Sequence, residues 1–176
     1  MVTMVAGIER KLSVVTLAAG LASGCTLFNG GSVVDRAAHE ERMQCDAASS
    51  PDDLRVAQTA RVLQVEGHYM ADTSGIRKVI GARVVLRPPP GVSADRMTRI
   101  LQCHNARVML GRAGEVQWPD DPYVLPNTWV DIDVKEVEGN FVAAISADRI
   151  SDNIRVLQRA RAFAAAQAAG ALPPKI

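Results

Sequence analysis

Two stretches of alternating apolar and polar residues, each interrupted by a short polar turn, predict two β-hairpins. In the first, apolar residues recur at every second position over residues 63–69, and residues 76–87 form the return strand. In the second, the alternation runs over residues 130–134 and resumes at Phe141, after the turn Gly139-Asn140. A period of two is typical of strands with one buried face. The residues between the strands are those that tight turns favour.

Helical periodicity follows each predicted hairpin. Ser93 is a suitable N-cap for a helix of about 17 residues, and five of its side chains fall on one face: Met97, Ile100, Leu101, His104 and Val108. A second helix begins at Ser151 and carries a similar apolar stripe. Ahead of the first hairpin, residues 33–46 have a helical pattern. Residues 51–60 are also expected to form a helix, because the proline at position 51 suits a first helical turn.

The order of these elements predicts an α+β fold. Two hairpins, each followed by a helix, form a β-β-α-β-β-α unit with a mostly antiparallel four-stranded sheet and both helices on one face, a two-layer sandwich. We expect the sandwich to span residues 61–170, after a helical preface at 33–60 and before a short tail at 171–176. A chain of this length buries enough surface for one stable core.

The N-terminal segment predicts export rather than a folded element. Residues 12–22 are apolar and follow the basic pair Arg10-Lys11, and residues 21–25 have the sequence LASGC. This apolar run is too short to predict a membrane-spanning helix. The segment resembles the signal peptide and lipobox of bacterial lipoproteins, in which the cysteine is acylated and becomes the new N-terminus. The resemblance implies lipidation at Cys25.

Lipidation would make residues 1–24 a removed signal peptide and residues 25–32 the lipidated cysteine with a flexible tether, since this stretch is rich in Gly and Asn. Two or three acyl chains together give stable anchoring, so the expected first partner is a lipid bilayer. Among bacterial lipoproteins an aspartate after the cysteine retains the protein at the inner membrane. Thr26 in that position implies the cell envelope at the periplasmic face of the outer membrane, in an organism that has one.

The body of the chain, residues 60–165, resembles uncharacterised small proteins of the bacterial envelope. Four short motifs carry this resemblance: Gly81-Ala82-Arg83, Pro90-Gly91, Cys103-His104 and Val130-Asp131-Ile132-Asp133. The resemblance implies the two-layer fold and a location in the envelope, and it implies no activity.

Composition excludes two function classes. The 176 residues carry 20 Lys+Arg and 19 Asp+Glu, so the formal net charge is only +1, whereas binding to nucleic-acid phosphates needs clustered positive charge. We therefore expect no nucleic-acid partner. A hydrophobic fraction of 48% excludes a disordered chain, because disordered chains have too little apolar surface to bury.

Cys45 and Cys103 are the two cysteines that remain if Cys25 is acylated. In an oxidising envelope compartment the simplest state of such a pair is a disulfide, which would pin the helical preface to the central helix. Two alternatives stay open. Cys103, with three arginines on its stripe of the helix, would be a reactive thiol if its pKa were lowered, or both cysteines would be unpaired and inert.

A metal site at Cys45, Cys103 and His104 is a further possibility for these residues. Sulfur ligands with imidazole suit Cu(I) or Zn(II), but Cys103 and His104 diverge by about 100° around their helix and do not easily converge on one ion. A lone histidine on an apolar face is more typical of a satisfied core residue. We therefore expect no cofactor.

No catalytic signature is visible in the sequence. Residues 39–43 begin like a zincin helix but end in methionine where the second histidine is required, and neither a nucleophile-elbow serine nor a phosphate-binding glycine loop occurs. The carboxylate pairs Asp120-Asp121 and Asp131/Asp133 fit a solvated loop and a solvent-facing strand. The chain is therefore not predicted to be an enzyme.

The few aromatic residues point to a protein contact. Trp118 and Tyr123 lie in a Pro-rich loop, and Trp129 is expected to face outward, so the three are candidates for a partner surface. The alternative is that they cover the open end of the core. The leading hypothesis is a non-enzymatic, membrane-tethered envelope lipoprotein that binds another, unknown envelope protein or scaffolds an assembly. The second hypothesis is a periplasmic metal or thiol-redox carrier using Cys45, Cys103 and His104.

Overall fold

The computed structural model describes residues 32–45, 60–71, 73–112 and 120–171, and it has the predicted α+β architecture. The elements are, in chain order, α1 (Val33–Gln44), β1 (Val62–Ala71), β2 (Arg77–Leu86), α2 (Ala94–Met109), β3 (Val130–Val137), β4 (Asn140–Ala147) and α3 (Ile150–Ala168). The predicted signal peptide, the lipobox with Cys25, the tether up to residue 31 and all but the last residue of the predicted helix at 51–60 lie outside the described residues.

The four strands form one antiparallel sheet in the order β1-β2-β4-β3. At one end of the sheet, Val130 at the start of β3 is opposite Ala147 at the end of β4. β2 runs antiparallel to β4, and Leu86 at the end of β2 is opposite Phe141 at the start of β4. The start of β2, and with it the β1–β2 turn, therefore lies at the same end of the sheet as Ala147. We call the end with Val130, Ala147 and the β1–β2 turn the upper end.

The core lies between the inner face of the sheet and the helices. Apolar side chains at alternate positions of β2, β3 and β4 point inward because side chains in a strand alternate between its faces. Those that are completely or almost completely buried include Ala82, Val84, Leu86, Val130, Ile132, Val134, Phe141, Ala143 and Ile145. Helix α3 packs on β1, β2 and β4, and α2 packs on β3. Burial on this scale is the main stabilising term of the fold.

Helix side chains also hydrogen-bond to backbone groups at both edges of the sheet. On the β3 edge, the Thr98 hydroxyl accepts from Val134 N–H at 2.9 Å. The side-chain amides of two other α2 residues donate to β3 carbonyl oxygens, Gln102 at 2.8 Å and Asn105 at 3.1 Å. On the β1 edge, the Gln167 side chain accepts from Val62 N–H at 2.7 Å. These bonds pair backbone groups that an edge strand otherwise leaves open to association with another chain.

The first strand departs from simple alternation. A register shift lies between Val62 and Gln64, so Leu63 is the extra residue and is 43% exposed instead of buried. The expectation that Leu63 shares the buried face with Val65 is therefore wrong, because a bulge moves the following side chains to the other face.

Helix α1 begins at a capping box and runs back along α2. The Ser32 side chain accepts from Asp35 N–H at 3.2 Å, and the Asp35 carboxylate accepts from Ser32 N–H at 3.1 Å, which satisfies two backbone donors at the helix start. Ala37 packs with Ala106 of α2 and with Trp129, and Val33 joins this small cluster. The first turn of α1 therefore lies at the upper end.

Candidate functional site

A disulfide between Cys45 and Cys103 joins the end of α1 to the middle of α2. This is the state of the two cysteines that the sequence favoured. Glu41 and Arg112 form a second link between α1 and the residues after α2, with Arg112 donating to both carboxylate oxygens at 3.0 and 2.6 Å. The hydrogen bond from Arg112 lowers the pKa of Glu41. Helix α1 is therefore fixed to α2 and to the residues that follow it.

The Arg36 side chain connects α1 to the sheet at the upper end. Its guanidinium forms an ion pair with Asp131 of β3 and lies 5.3 Å from the ring centre of Trp129, a distance typical of a cation–π contact. The indole N–H of Trp129 donates to the same Asp131 carboxylate at 3.0 Å. A more distant carboxylate, that of Asp148, lies 3.9 Å from Arg36.

These contacts form one wall of a cleft at the upper end, with a volume of about 670 Å³. The other walls are the segment before β3 and the junction between β4 and α3. We call it the α1 cleft. Its charged lining consists of four carboxylates and two guanidinium groups: Asp35, Glu40, Asp148, Asp152, Arg36 and Arg149. The lining therefore has a formal net charge of −2 when His39 is counted as neutral, and the half-buried Val33 adds apolar surface.

The β4–α3 junction that forms one wall is held in place by buried polar side chains. The Asn153 amide accepts from Ala147 N–H at 2.7 Å and donates to Ala147 C=O at 2.9 Å. Asp152 is 6% exposed and pairs with Arg155 at 3.2 Å. Asp148 is different, since its side chain is 81% exposed. It is the most accessible carboxylate among the ion pairs at this cleft.

A second polar group, His104 with Asp121, is enclosed between α2 and α3. The His104 Nε2 lies 2.8 Å from an Asp121 carboxylate oxygen, and the two side chains are 1% and 0% exposed. The other Asp121 carboxylate oxygen accepts from Tyr123 N–H at 2.9 Å, and its backbone carbonyl accepts from Arg159 of α3 at 2.9 Å. This network anchors residues 120–125 to both helices.

Tyr123 is part of the same buried loop. Its side chain packs edge-on against Phe163 with ring centres 6.4 Å apart. Burial, with a smaller contribution from the negative charge of Asp121, raises the pKa of Tyr123 far above its ordinary value. The phenol therefore stays neutral at all physiological pH values and acts as a core residue.

Three sequence expectations change with these positions. Trp129 does not face outward, because it is 4% exposed and covered by α1. Tyr123 is 3% exposed and does not form an open surface. Asp121 is not a solvated loop carboxylate, because His104 pairs with it in the core. Trp118 lies outside the described residues.

The three residues considered as metal ligands do not converge on one ion. Cys45 and Cys103 are bonded to each other, and His104 turns to Asp121. Within residues 32–45, 60–71, 73–112 and 120–171, no group of three or more His, Cys, Asp or Glu side chains is placed to hold a metal ion.

Several side chains that define the α1 cleft carried no signal in the sequence. Arg36, Asp148 and Arg149 have no recognisable motif, and they meet only because α1 folds back on the upper end. The polar segment Ser146–Asp152 could have been noted as a turn with both charge signs, but not as part of a cleft.

Comparisons with known proteins give no relative from which a function could be transferred. No protein-family model, no curated protein and no solved structure matches this chain. In the part of the chain that the structure describes, no helix combines the length and apolar character needed to cross a bilayer.

Proposed function

We propose that this chain is a lipid-anchored envelope protein whose α+β domain binds a segment of a partner protein in the α1 cleft, without catalysing a reaction. The observation that carries the proposal is the α1 cleft itself, which combines a net negative lining with an exposed carboxylate at Asp148 and apolar surface at the half-buried Val33. The partner segment that fits this chemistry is short, with a basic side chain beside an apolar one.

Support for the anchor comes from the sequence. Residues 21–25 resemble a lipobox, and acylation of Cys25 would tether the domain to a bilayer through multiple acyl chains. Thr26 favours the periplasmic face of an outer membrane. The covalent link between Cys45 and Cys103 suits an oxidising compartment of this kind.

Support for binding rather than catalysis comes from access. His104 and Asp121 form the pair most like a catalytic dyad, but both side chains are almost completely buried. A substrate would have to displace residues 120–125, which Arg159 and Tyr123 help to hold. The groups that solvent reaches in the α1 cleft are instead charged side chains suited to ion pairing.

Support for a basic partner segment comes from the charges. Among the described residues, the ion-pair contact of Asp148 is a distant one, at 3.9 Å to Arg36. A cation from a partner would therefore gain a carboxylate that is incompletely neutralised, and such contacts mainly raise the association rate and give specificity. They also weaken with added salt.

The anchor is tested by the intact mass of the native protein purified gently from cell envelopes. We expect a chain that begins at Cys25, carries acyl groups and is two hydrogens lighter than the reduced form. An unmodified Cys25 on a secreted chain would overturn the anchor.

The cleft is tested by site-specific photo-crosslinking in cells. A photoreactive residue at Arg149, an exposed position of the cleft lining that leaves Asp148 intact, is compared with one at Asp133, an aspartate of β3 whose side chain is 60% exposed and outside the cleft lining. We expect a discrete adduct from position 149 alone, with the crosslink in a basic segment. Binding of the identified partner should then weaken with Asp148→Asn and with added salt, and Asp133→Asn should leave it unchanged. Equal adducts from both positions, or none, would contradict the proposal.

A further inference from the structure

Exposed apolar side chains are concentrated at the upper end of the molecule. Among the described residues, nine large apolar side chains are exposed, and six of them lie at this end: Val34, Tyr69, Met70, Ile76, Ile150 and Ile154. They belong to three separate places, namely the start of α1, the β1–β2 turn region and the start of α3. These three places leave apolar surface on separate elements that share one end of the molecule.

The β1–β2 hairpin extends beyond the rest of the sheet at this end. Ala82 of β2 is opposite Ile145, and β4 ends two residues later at Ala147. β2 begins five residues before Ala82, at Arg77, where it pairs with Ala71. At about 3.3 Å per residue, the paired hairpin continues roughly 10 Å past the end of β4 before its turn.

The projecting part of the hairpin combines apolar and basic side chains. Met70 is 55% exposed and Ile76 is 60% exposed. Tyr69 lies beneath the guanidinium of Arg77, 4.5 Å from its ring centre, and Lys78 follows in the sequence. Tyrosine, arginine and lysine with adjacent apolar residues suit the boundary between lipid headgroups and acyl chains.

The predicted tether leaves the domain at this same end. Val33 packs against the cluster that contains Trp129 and lines the α1 cleft together with Asp148, so Ser32, which precedes it, also lies at the upper end. Seven Cα–Cα steps separate Cys25 from Ser32, and they span at most about 25 Å. An acylated Cys25 therefore brings the bilayer to the upper end and not to the opposite end, where β3 and β4 are joined.

We propose that the upper end rests on the bilayer, with Met70 and Ile76 of the β1–β2 hairpin inserted into the headgroup region. The proposal rests on the proposed lipid anchor. The hairpin supplies a second contact, which orients the domain on the membrane instead of leaving it free to rotate about its tether. The residues that line the α1 cleft lie at the same end, so its partner segment lies near the membrane surface.

The test places a tryptophan at each end of the sheet in the full, natively processed chain. Ile76→Trp reports on the hairpin, and Val137→Trp, at a 49% exposed position near the β3–β4 turn, is the matched control. The proteins are reconstituted in vesicles of phosphatidylcholine and phosphatidylglycerol, with and without brominated phosphatidylcholine. Flotation measures vesicle attachment, the wild-type chain supplies the background of its own tryptophans, and circular dichroism verifies the fold.

We expect the vesicles to carry the protein and the bromine atoms to quench Ile76→Trp strongly, with a blue-shifted emission, while Val137→Trp is unaffected. Flotation without quenching at either position would overturn the hairpin contact and leave the lipid anchor intact. Equal quenching at both positions would overturn the orientation. Loss of flotation with Cys25 unmodified would refute the anchor. If the emission of Ile76→Trp were not quenched and the protein had twice the mass of one chain, a second copy of the chain would cover this surface instead of the membrane.

A second variant separates the contact from the tryptophan probe. Met70→Ser with Ile76→Ser removes the apolar tip but leaves the turn residues unchanged. We expect the domain of this variant to stay on vesicles through Cys25 but to become more accessible to protease. Unchanged protease protection on vesicles, with the fold intact, would contradict the insertion.

Discussion

Removing the disulfide between Cys45 and Cys103 tests how far α1 contributes to the stability of the sandwich. The suitable variant is Cys45→Ala with Cys103→Ala, because Cys103 is 3% exposed and serine there would bury a hydroxyl group. The variant keeps the Arg36–Asp131 and Glu41–Arg112 pairs on α1. The change is therefore specific to the covalent link.

The expected loss follows from the length of chain that the disulfide closes. The two cysteines are 58 residues apart in the sequence, and on the chain-entropy model a loop of this length stabilises the folded state by about 4 kcal/mol. That is a large share of the 5–15 kcal/mol, roughly, that holds a typical domain. For a domain of this size it corresponds to a fall in Tm of about 10 °C.

The assay is urea unfolding of both proteins followed by circular dichroism, with hydrogen exchange of the α1 amides as a second measurement. If α1 stays docked, the midpoint falls and α1 keeps its protection. If α1 undocks first, its amides exchange before the sheet unfolds, and the loss of global stability is smaller. A double variant within about 1 kcal/mol of wild type, with α1 protection unchanged, would refute the expectation that the bridge restrains the unfolded chain.

Three further predictions follow from individual contacts. Gly81→Ala should destabilise the domain by at least about 3 kcal/mol, because its φ is 143° and a Cβ would lie 2.0 Å from a β4 carbonyl oxygen. Urea unfolding measures this loss, with Gly75→Ala as the control. A Cβ at Gly75 meets only open space at φ 78°, so the control should cost about 1 kcal/mol. His104→Ala should cost about 3 kcal/mol by leaving a buried aspartate unpaired, and a midpoint equal to wild type would contradict the buried pair. Glu41→Gln should flatten the acid side of the stability profile, because Arg112 lowers the pKa of Glu41, so that its contribution is present at neutral pH and is lost as the pH falls through the lowered pKa.

Much of the fold was predictable because strand and helix periodicities are local properties. The alternation in residues 130–134 identifies the buried positions of β3, and Ser93 marks the start of α2, where its side chain accepts from Arg96 N–H. The bulge at Leu63 was not predictable, since an extra residue in one strand is defined only by the strand beside it.

The candidate site was predictable only in its covalent part. Two cysteines in a chain whose N-terminal segment resembles an export signal indicate a disulfide without knowledge of the fold. Trp129 was placed on the wrong side because nothing in its own segment shows that α1 covers it. Asp121 was placed in solvent because its partner, His104, is 17 residues away on another element.

The sequence by itself determined the class of fold, the order of its elements and a resemblance to anchored envelope proteins at residues 21–25. These depend on neighbouring residues, whose periodicity and turn chemistry act over a few positions. Only the tertiary structure decided that the first turn of α1 packs at the upper end, where it covers Trp129 and forms one wall of a cleft. It also decided that the hairpin with Met70 and Ile76 projects at that same end. The physical reason is that burial, ion pairing and exposure depend on which elements pack together, and packing joins residues far apart in the chain.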